Sequence, residues 1–327
     1  MKRYIKMVAA LLALMASFTA CENGDQAFDD YEGGTTVMFV YQSPVRTIVL
    51  GDDEYDTSLD KEHKCKIKAT FAGSYNGRKG YVNVAVDNSL CDHLTFADGT
   101  PVKAMPAEYY SLSTNKLDFK GGMTGETVVQ LTDAFFNDPD AVKNTYVIPL
   151  AMTDQQGFDR ISAGTLKEGA TGSRTNAAIW EIVPKDYVMY CVKYQNKYSG
   201  WWLTHHNTST DNIEKASKVQ ITTRTLNSSV YSVEFQEGST IYKADLLLTF
   251  DANEKCTITS LTDGVTATGT GSWADDALLS WNNKYRDLME LNAEITFAGG
   301  VKKNLNEKLV WQRSGVTKEE FSFTYNN

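Results

Sequence analysis

The stretch "VYSVEFQEGSTIYKADLLLTFDANEKCTITS", residues 230–260, decides how this chain folds. It holds three apolar-polar runs, Val230–Phe235, Lys243–Phe250 and Cys256–Thr259, joined by short polar turns such as Asp251–Lys255. Alternation with period two marks strands half-buried on one face, and short Gly, Asn and Asp links between them mark hairpins. Strand signals continue outward through Ala267–Trp273, Leu288–Phe297 and Leu305–Gln312. Regularly spaced antiparallel strands lose their exposed edges by closing, so an antiparallel lipocalin-like β-barrel is expected, with a second β-sandwich as the alternative.

Upstream the same period recurs in Val37–Tyr41, Cys65–Phe71 and Tyr81–Val86. Turns such as "GSYNGRKG", residues 73–80, punctuate these runs with glycine and asparagine. No long 3.6-residue period competes, and helix is expected only in short pieces at Ala107–Tyr110 and Asp133–Asn137. The loop "SAGTLKEGATGSRTN", residues 162–176, has no apolar period and reads as mobile. A terminal strand, Ala177–Val183, then meets Pro184, which cannot donate to a ladder. The fold class is therefore all-β, with an Ig-like β-sandwich over residues 37–183 and the barrel over 187–327.

Residues 1–20 read as a lipoprotein signal peptide: Lys2, Arg3 and Lys6 precede an apolar run from Met7 to Ala20 that is too short for a spanning helix. Phe18-Thr19-Ala20-Cys21 resembles a bacterial lipobox with Phe18 in place of the usual leucine. Cys21 is then the lipid attachment residue, mooring the chain to a membrane without crossing it. The alternative is an ordinary secreted protein that keeps Cys21 as a thiol. Residues 21–36 form an acidic tether, with Glu22, Asp25, Asp29 and Asp30. An acidic stretch after such a cysteine resembles the surface-display signal of Bacteroidetes lipoproteins, which implies an outer-membrane, outward-facing location.

The body of the chain is that of a soluble folded protein, 42% hydrophobic and 22% charged, with a net charge of −9. Nucleic acid is excluded as a partner because phosphate binding needs a basic face. Beyond Cys21 the cysteines are Cys65, Cys91, Cys191 and Cys256. They either pair within domains, as Cys65 with Cys91 and Cys191 with Cys256, or stay buried as free thiols.

A family resemblance enters at "MPAEYYSLSTNKLDFKGGMTGETVVQLTD", residues 105–133, and "NTYVIPLAMTD", residues 144–154. Met105-Pro106 with Tyr109-Tyr110, and Tyr146-Val147-Ile148-Pro149-Leu150, resemble the "LPxxYY" and "YVLPL" elements of one known module. It is the domain of unknown function that precedes the catalytic barrel in F-type endo-β-N-acetylglucosaminidases and recurs in Bacteroidetes surface lipoproteins. The similarity runs over residues 37–183, with Lys120-Gly121-Gly122 where a proline turn is commoner. Asn196–Trp202 and Arg313–Phe321 resemble the "KYxGxY" opening and "RxGVxxEEF" ending of the β-barrel domains that follow it. What this implies is a non-catalytic protein beside carbohydrate-uptake machinery, including outer-membrane glycan transport.

The chemistry legible in the residues agrees with a binding role. Glycoside hydrolysis needs two carboxylates across one bond, and the "DxxDxDxE" strand of the related glycosidases does not occur here. "GTGSW", residues 269–273, is not a GxSxG nucleophile turn. His205 and His206 are neighbours and point to opposite faces of a strand, and His63 and His93 are the only other imidazoles. The acidic run Asp52, Asp53, Glu54, Asp56 and Asp60 lacks the glycine turn of a calcium loop and reads as solvated. No metal and no cofactor is expected.

Sugar binding asks for an aromatic platform flanked by amides or carboxylates. Two stretches offer it: Tyr198, Trp202, His206 and Asn207, and Trp273, Asp275, Trp281, Asn282, Asn283 and Tyr285. On a strand one of Trp201 and Trp202 faces inward and the other outward, and Trp281, in polar "SWNNKY", is the least core-like tryptophan. The expectation is a non-enzymatic, surface-anchored lipoprotein that binds an oligosaccharide or glycoprotein glycan. An adhesive protein that binds another protein and a glycan hydrolase with an unrecognised site are the alternatives.

Overall fold

The structure, a computed structural model, describes residues 29–204 and 216–326. The signal peptide, Cys21, His206 and Asn207 lie outside the described residues. The described chain is all-β, a two-sheet sandwich followed by a closed eight-stranded barrel.

The sandwich faces a five-stranded sheet against a seven-stranded one. In the first, Lys64–Ala72 lies between Thr36–Phe39 and Thr124–Leu131. Its alternation works as the sequence suggests, with Cys65, Ile67, Ala69 and Phe71 buried between the sheets and Lys64, Lys66 and Lys68 turned outward. At the centre of the second sheet, Tyr146–Gln156 pairs antiparallel with Tyr81–Val86 and with Tyr187–Gln195. Its first five residues are all buried because this sheet is covered on both faces. Ile148 and Leu150 face the inter-sheet core, while Val147, with Met189 and Cys191, faces a separate apolar layer.

That second layer moves the domain boundary expected at Pro184. Tyr187–Gln195, assigned to the barrel, is a sandwich strand, paired parallel with Pro44–Val49 through Cys191 and Val45. The chain leaves the sandwich only at Asn196, and after the barrel it returns. Glu319–Glu320 pairs with Pro44–Val49, and Phe323–Tyr325 pairs with Leu94–Phe96. Phe321 is buried against the outer face of the seven-stranded sheet, with Phe323 and Tyr325 packed beside it. The proline ends a short exposed strand, Trp180–Ile182, rather than a domain. The loop before it also holds more structure than expected, since Thr165–Leu166 pairs with that strand and Arg174 is bonded to the buried Asp186.

The two short helical pieces occur as a 3-10 turn at Ala107–Tyr109 and a helix at Asp133–Phe136. Cys65, Cys91, Cys191 and Cys256 are all buried free thiols, so neither proposed pairing occurs. Burial pushes each thiol up to about 12, which keeps it protonated and unreactive.

The barrel is an antiparallel meander in which every strand pairs with the next, from Gly200–Thr204 to Lys302–Arg313. Those two strands then pair with each other and close it. Inward positions such as Ile221, Leu246, Leu248, Ile258, Leu291 and Ile295 fill it with apolar side chains. The glycines of "GTGSW" serve this packing. A Cβ on Gly269 would stand 2.3 Å from the Asn292 carbonyl oxygen, so the close approach of neighbouring strands requires glycine there.

Candidate functional site

Three of the ten candidate residues belong to the barrel core. Tyr198 is 3% exposed, its ring stacked on Phe250 at 3.7 Å and set edge-on to Trp273 at 5.7 Å. Its hydroxyl donates to Glu254 Oε2 at 2.8 Å, and burial, reinforced by that carboxylate, raises the phenol above its ordinary range. Trp202 is fully buried and donates from Nε1 to the Tyr198 carbonyl at 3.1 Å. Trp273 is buried beside them, with the Lys197 ammonium 4.4 Å from its ring centre. These rings are packed in the barrel core and are not open to a sugar.

The remaining aromatic candidates sit elsewhere. The hairpin of Thr266–Leu279 and Tyr285–Thr296 is the longest in the barrel, and its register breaks at a bulge between Ala274 and Leu278. Past the bulge the pairs Leu278↔Arg286 and Leu279↔Tyr285 carry the tip outward. There Tyr285 is 57% and Leu279 46% exposed. Trp281 is half-buried and carries the Arg286 guanidinium on its ring at 3.8 Å. Asn282 and Asn283 are exposed and both have positive φ, 59° and 53°. Two consecutive left-handed residues make a tight hairpin turn, and asparagine tolerates that conformation better than most side chains. The turn therefore supplies one reason for the amides, and their exposure leaves them free to bind as well.

Asp275 belongs to the bulge and brings in a group that the sequence reading missed. The inward row Asp287, Met289, Leu291, Ala293 and Ile295 begins with a carboxylate that is 2% exposed. Asp287 accepts a hydrogen bond from the Asp276 backbone N–H at 3.1 Å. Its oxygen lies within 4.8 Å of one from Asp276 and one from Asp52, the latter reaching across from the sandwich. Burial first, and then the charges of Asp52 and Asp275, push the Asp287 carboxyl up to about 7. Asp52 thus leaves the solvated loop in which the sequence placed it. Asp60 leaves it too, being buried in the sandwich where it accepts from Val49 N–H at 2.8 Å and from Arg46. A carboxylate at the head of an apolar row was the available sequence signal for Asp287. Nothing local marked Asp52 as its neighbour.

Among the described histidines, His63 packs against the Phe136 ring and His93 lies beside Tyr325.

Comparison with known proteins places this architecture. A model for a domain of unknown function (DUF5627) matches residues 193–315, which bracket the barrel. A second model, described as an N-terminal domain, matches residues 30–159. A crystal structure of a protein of unknown function from Bacteroides ovatus is 30% identical, with 91% of this chain and 100% of that one covered, at a TM-score of 0.82. The chain belongs to that protein's family. Two further Bacteroides ovatus structures are far more distant. A multidomain protein including DUF1735 is 12% identical, with 84% of this chain and 91% of that one covered and a TM-score of 0.40. A candidate carbohydrate binding protein is 11% identical, with 89% and 98% covered and a TM-score of 0.26. Neither likeness bears on what this chain does. No curated protein matches.

Proposed function

We propose that this protein is a non-catalytic glycan-binding lipoprotein of the outer membrane, moored through Cys21 and facing the cell exterior in a polysaccharide or glycoprotein-glycan utilisation system. Its ligand is an oligosaccharide held at the tip of the 266–296 hairpin. The observation that carries this reading is the joint exposure of Leu279, Asn282, Asn283 and Tyr285 around Trp281 on a projecting turn. A sugar ring buries its C–H face on an aromatic surface and directs its hydroxyls to neighbouring amides, a combination that gives weak but directional binding. The lipobox-like Phe18–Cys21, the acidic residues after it and the resemblance to glycosidase-associated modules support the setting.

The test is a glycan array with purified residues 22–327, repeated with Trp281→Ala. Weakened binding of at least one of the bound glycans, with an unchanged melting temperature, supports the assignment. Full retention in the variant removes the hairpin from it, and an array with no bound glycan at all favours a protein-binding, adhesive role.

A further inference from the structure

Where the barrel meets the sandwich there is a cleft of about 390 Å³, within the ~300–1,000 Å³ of typical small-ligand sites. Its walls come mainly from the end of sandwich strand Tyr187–Gln195, the outer face of barrel strand Lys218–Thr225 and the return segment after Arg313, with Thr47, Val142, Ser199 and Gly200 completing them. Its polar side chains are almost all neutral, Gln195, Gln220, Thr222, Thr223 and Ser314 among them. The two charged groups, Lys193 and Glu319, neutralise each other at 3.0 Å. A cleft of this kind offers little to a phosphate, a cation or an apolar ligand. It suits a neutral molecule that carries many hydroxyls.

The walls are fixed before any ligand arrives. Gln195 Nε2 donates to the carbonyls of Ser199 and Ser314 at 3.0 and 3.2 Å, fastening the sandwich to both ends of the barrel chain. Thr223 Oγ1 donates to Ser199 Oγ at 2.9 Å, and Ser199 Oγ in turn donates to Asn196 Oδ1 at 2.7 Å. Asn196 itself is 1% exposed, and its amide donates to Thr225 O, Ser228 O and Ser229 Oγ. Binding to a pre-ordered wall loses little conformational entropy.

An aromatic ring stands beside this wall. Trp201 faces outward, half-buried, and is the cross-strand neighbour of Gln220. It packs against Gly315, which lines the cleft at φ 76°. A Cβ there would come within 2.6 Å of the indole Cδ1 and Nε1, so only glycine lets the ring approach. The "GWW" and "RSGV" stretches at the two ends of the barrel therefore meet at one place.

We infer that the cleft is a second glycan subsite, which takes a short neutral oligosaccharide segment between the two bodies with Trp201 alongside. It rests on the glycan-binding reading and is independent of the hairpin. The test titrates residues 22–327 with mannopentaose, cellopentaose and chitopentaose, followed by saturation-transfer NMR and calorimetry. The unmodified chain is compared with Trp281→Ala, and with Trp281→Ala carrying Thr222→Trp or Gln220→Ala as well. Thr222 and Gln220 are exposed strand positions, so both changes leave the core intact. The expected result is that Trp281→Ala still binds at least one of the three, and that Thr222→Trp, which fills the cleft, weakens this binding by about tenfold or more. Gln220→Ala weakens it in the same direction.

Complete loss of binding in Trp281→Ala, or remaining binding that neither cleft change alters, overturns the subsite and leaves the hairpin reading standing. No binding of any of the three by the unmodified chain sinks both.

Discussion

Trp201 and Trp202 are adjacent in sequence and opposite in environment. Trp202 is fully enclosed by the barrel core, whereas Trp201 lies outside it with the Lys218 ammonium 4.1 Å from its ring centre. Truncating a large buried ring costs about 3–5 kcal/mol. Trp202→Ala should therefore lower stability by that order in urea denaturation, while Trp201→Ala changes it by less than about 1 kcal/mol. Similar losses for the two would mean that the outward ring is part of the packing. Alternation alone assigned one ring to each face but could not say which, because parity is set by register with Lys302–Arg313, more than a hundred residues away. The sequence reading consequently put Trp202 in the ligand surface and passed over Trp201. Asn196 was hidden for a similar reason. Its partners Thr225, Ser228 and Ser229 adjoin it only once the barrel has closed. Asn196→Asp, which turns a donor toward two carbonyls into an acceptor, should cost more than Asn196→Ala at neutral pH, and paired thermal melts would decide it.

At the level of elements, the strands were legible and their partners less so. Each barrel strand carries its own period-two pattern and turns back within a few residues, so hairpin order follows from local sequence. The tip beyond the bulge at Asp275–Ala277 also has a local cause, in the paired asparagines whose positive φ makes the turn. The sandwich differs, since its second sheet is assembled from segments as far apart as Pro44–Val49 and Glu319–Glu320. The acidic pair and phenylalanine at the end of the "RSGVTKEEF" stretch were visible as a motif, but no local feature says that Phe321 seals an apolar layer on the first domain. Because it is 8% exposed there, Phe321→Ala should cost about 3 kcal/mol. Hydrogen exchange should report the loss in Leu94–Phe96 and Tyr187–Gln195, which share that layer, and not in the barrel. Loosening confined to the barrel would contradict this assignment of the tail.

For the whole molecule, the two bodies are joined by a covered tail, by the hydrogen bonds of Gln195 and by a junction that concentrates negative charge. Asp52 of the sandwich stands against Asp276 and the buried Asp287 of the barrel, with Asp275 beside them and the Lys61 ammonium 3.5 Å from Asp52. In the unfolded chain an aspartate titrates near 3.9. In the folded one Asp287 holds its proton up to about 7, chiefly because burial penalises its charged form. The folded state therefore binds more protons than the unfolded state between these values, and its stability falls as pH rises through that interval. The contribution of this group is fully present below about pH 4 and lost above about pH 7, opposite in sign to that of a salt-bridged carboxylate. Thermal melts at pH 5 and pH 8 should show a lower midpoint at pH 8. Asp287→Asn keeps the shape and removes the charge, so it should raise the pH 8 midpoint, by a stability gain of order 4 kcal/mol, and change the pH 5 midpoint much less. A variant that is destabilised at pH 8 would mean that the negative charge of Asp287 is compensated in the folded protein, and that the junction is held by it rather than strained.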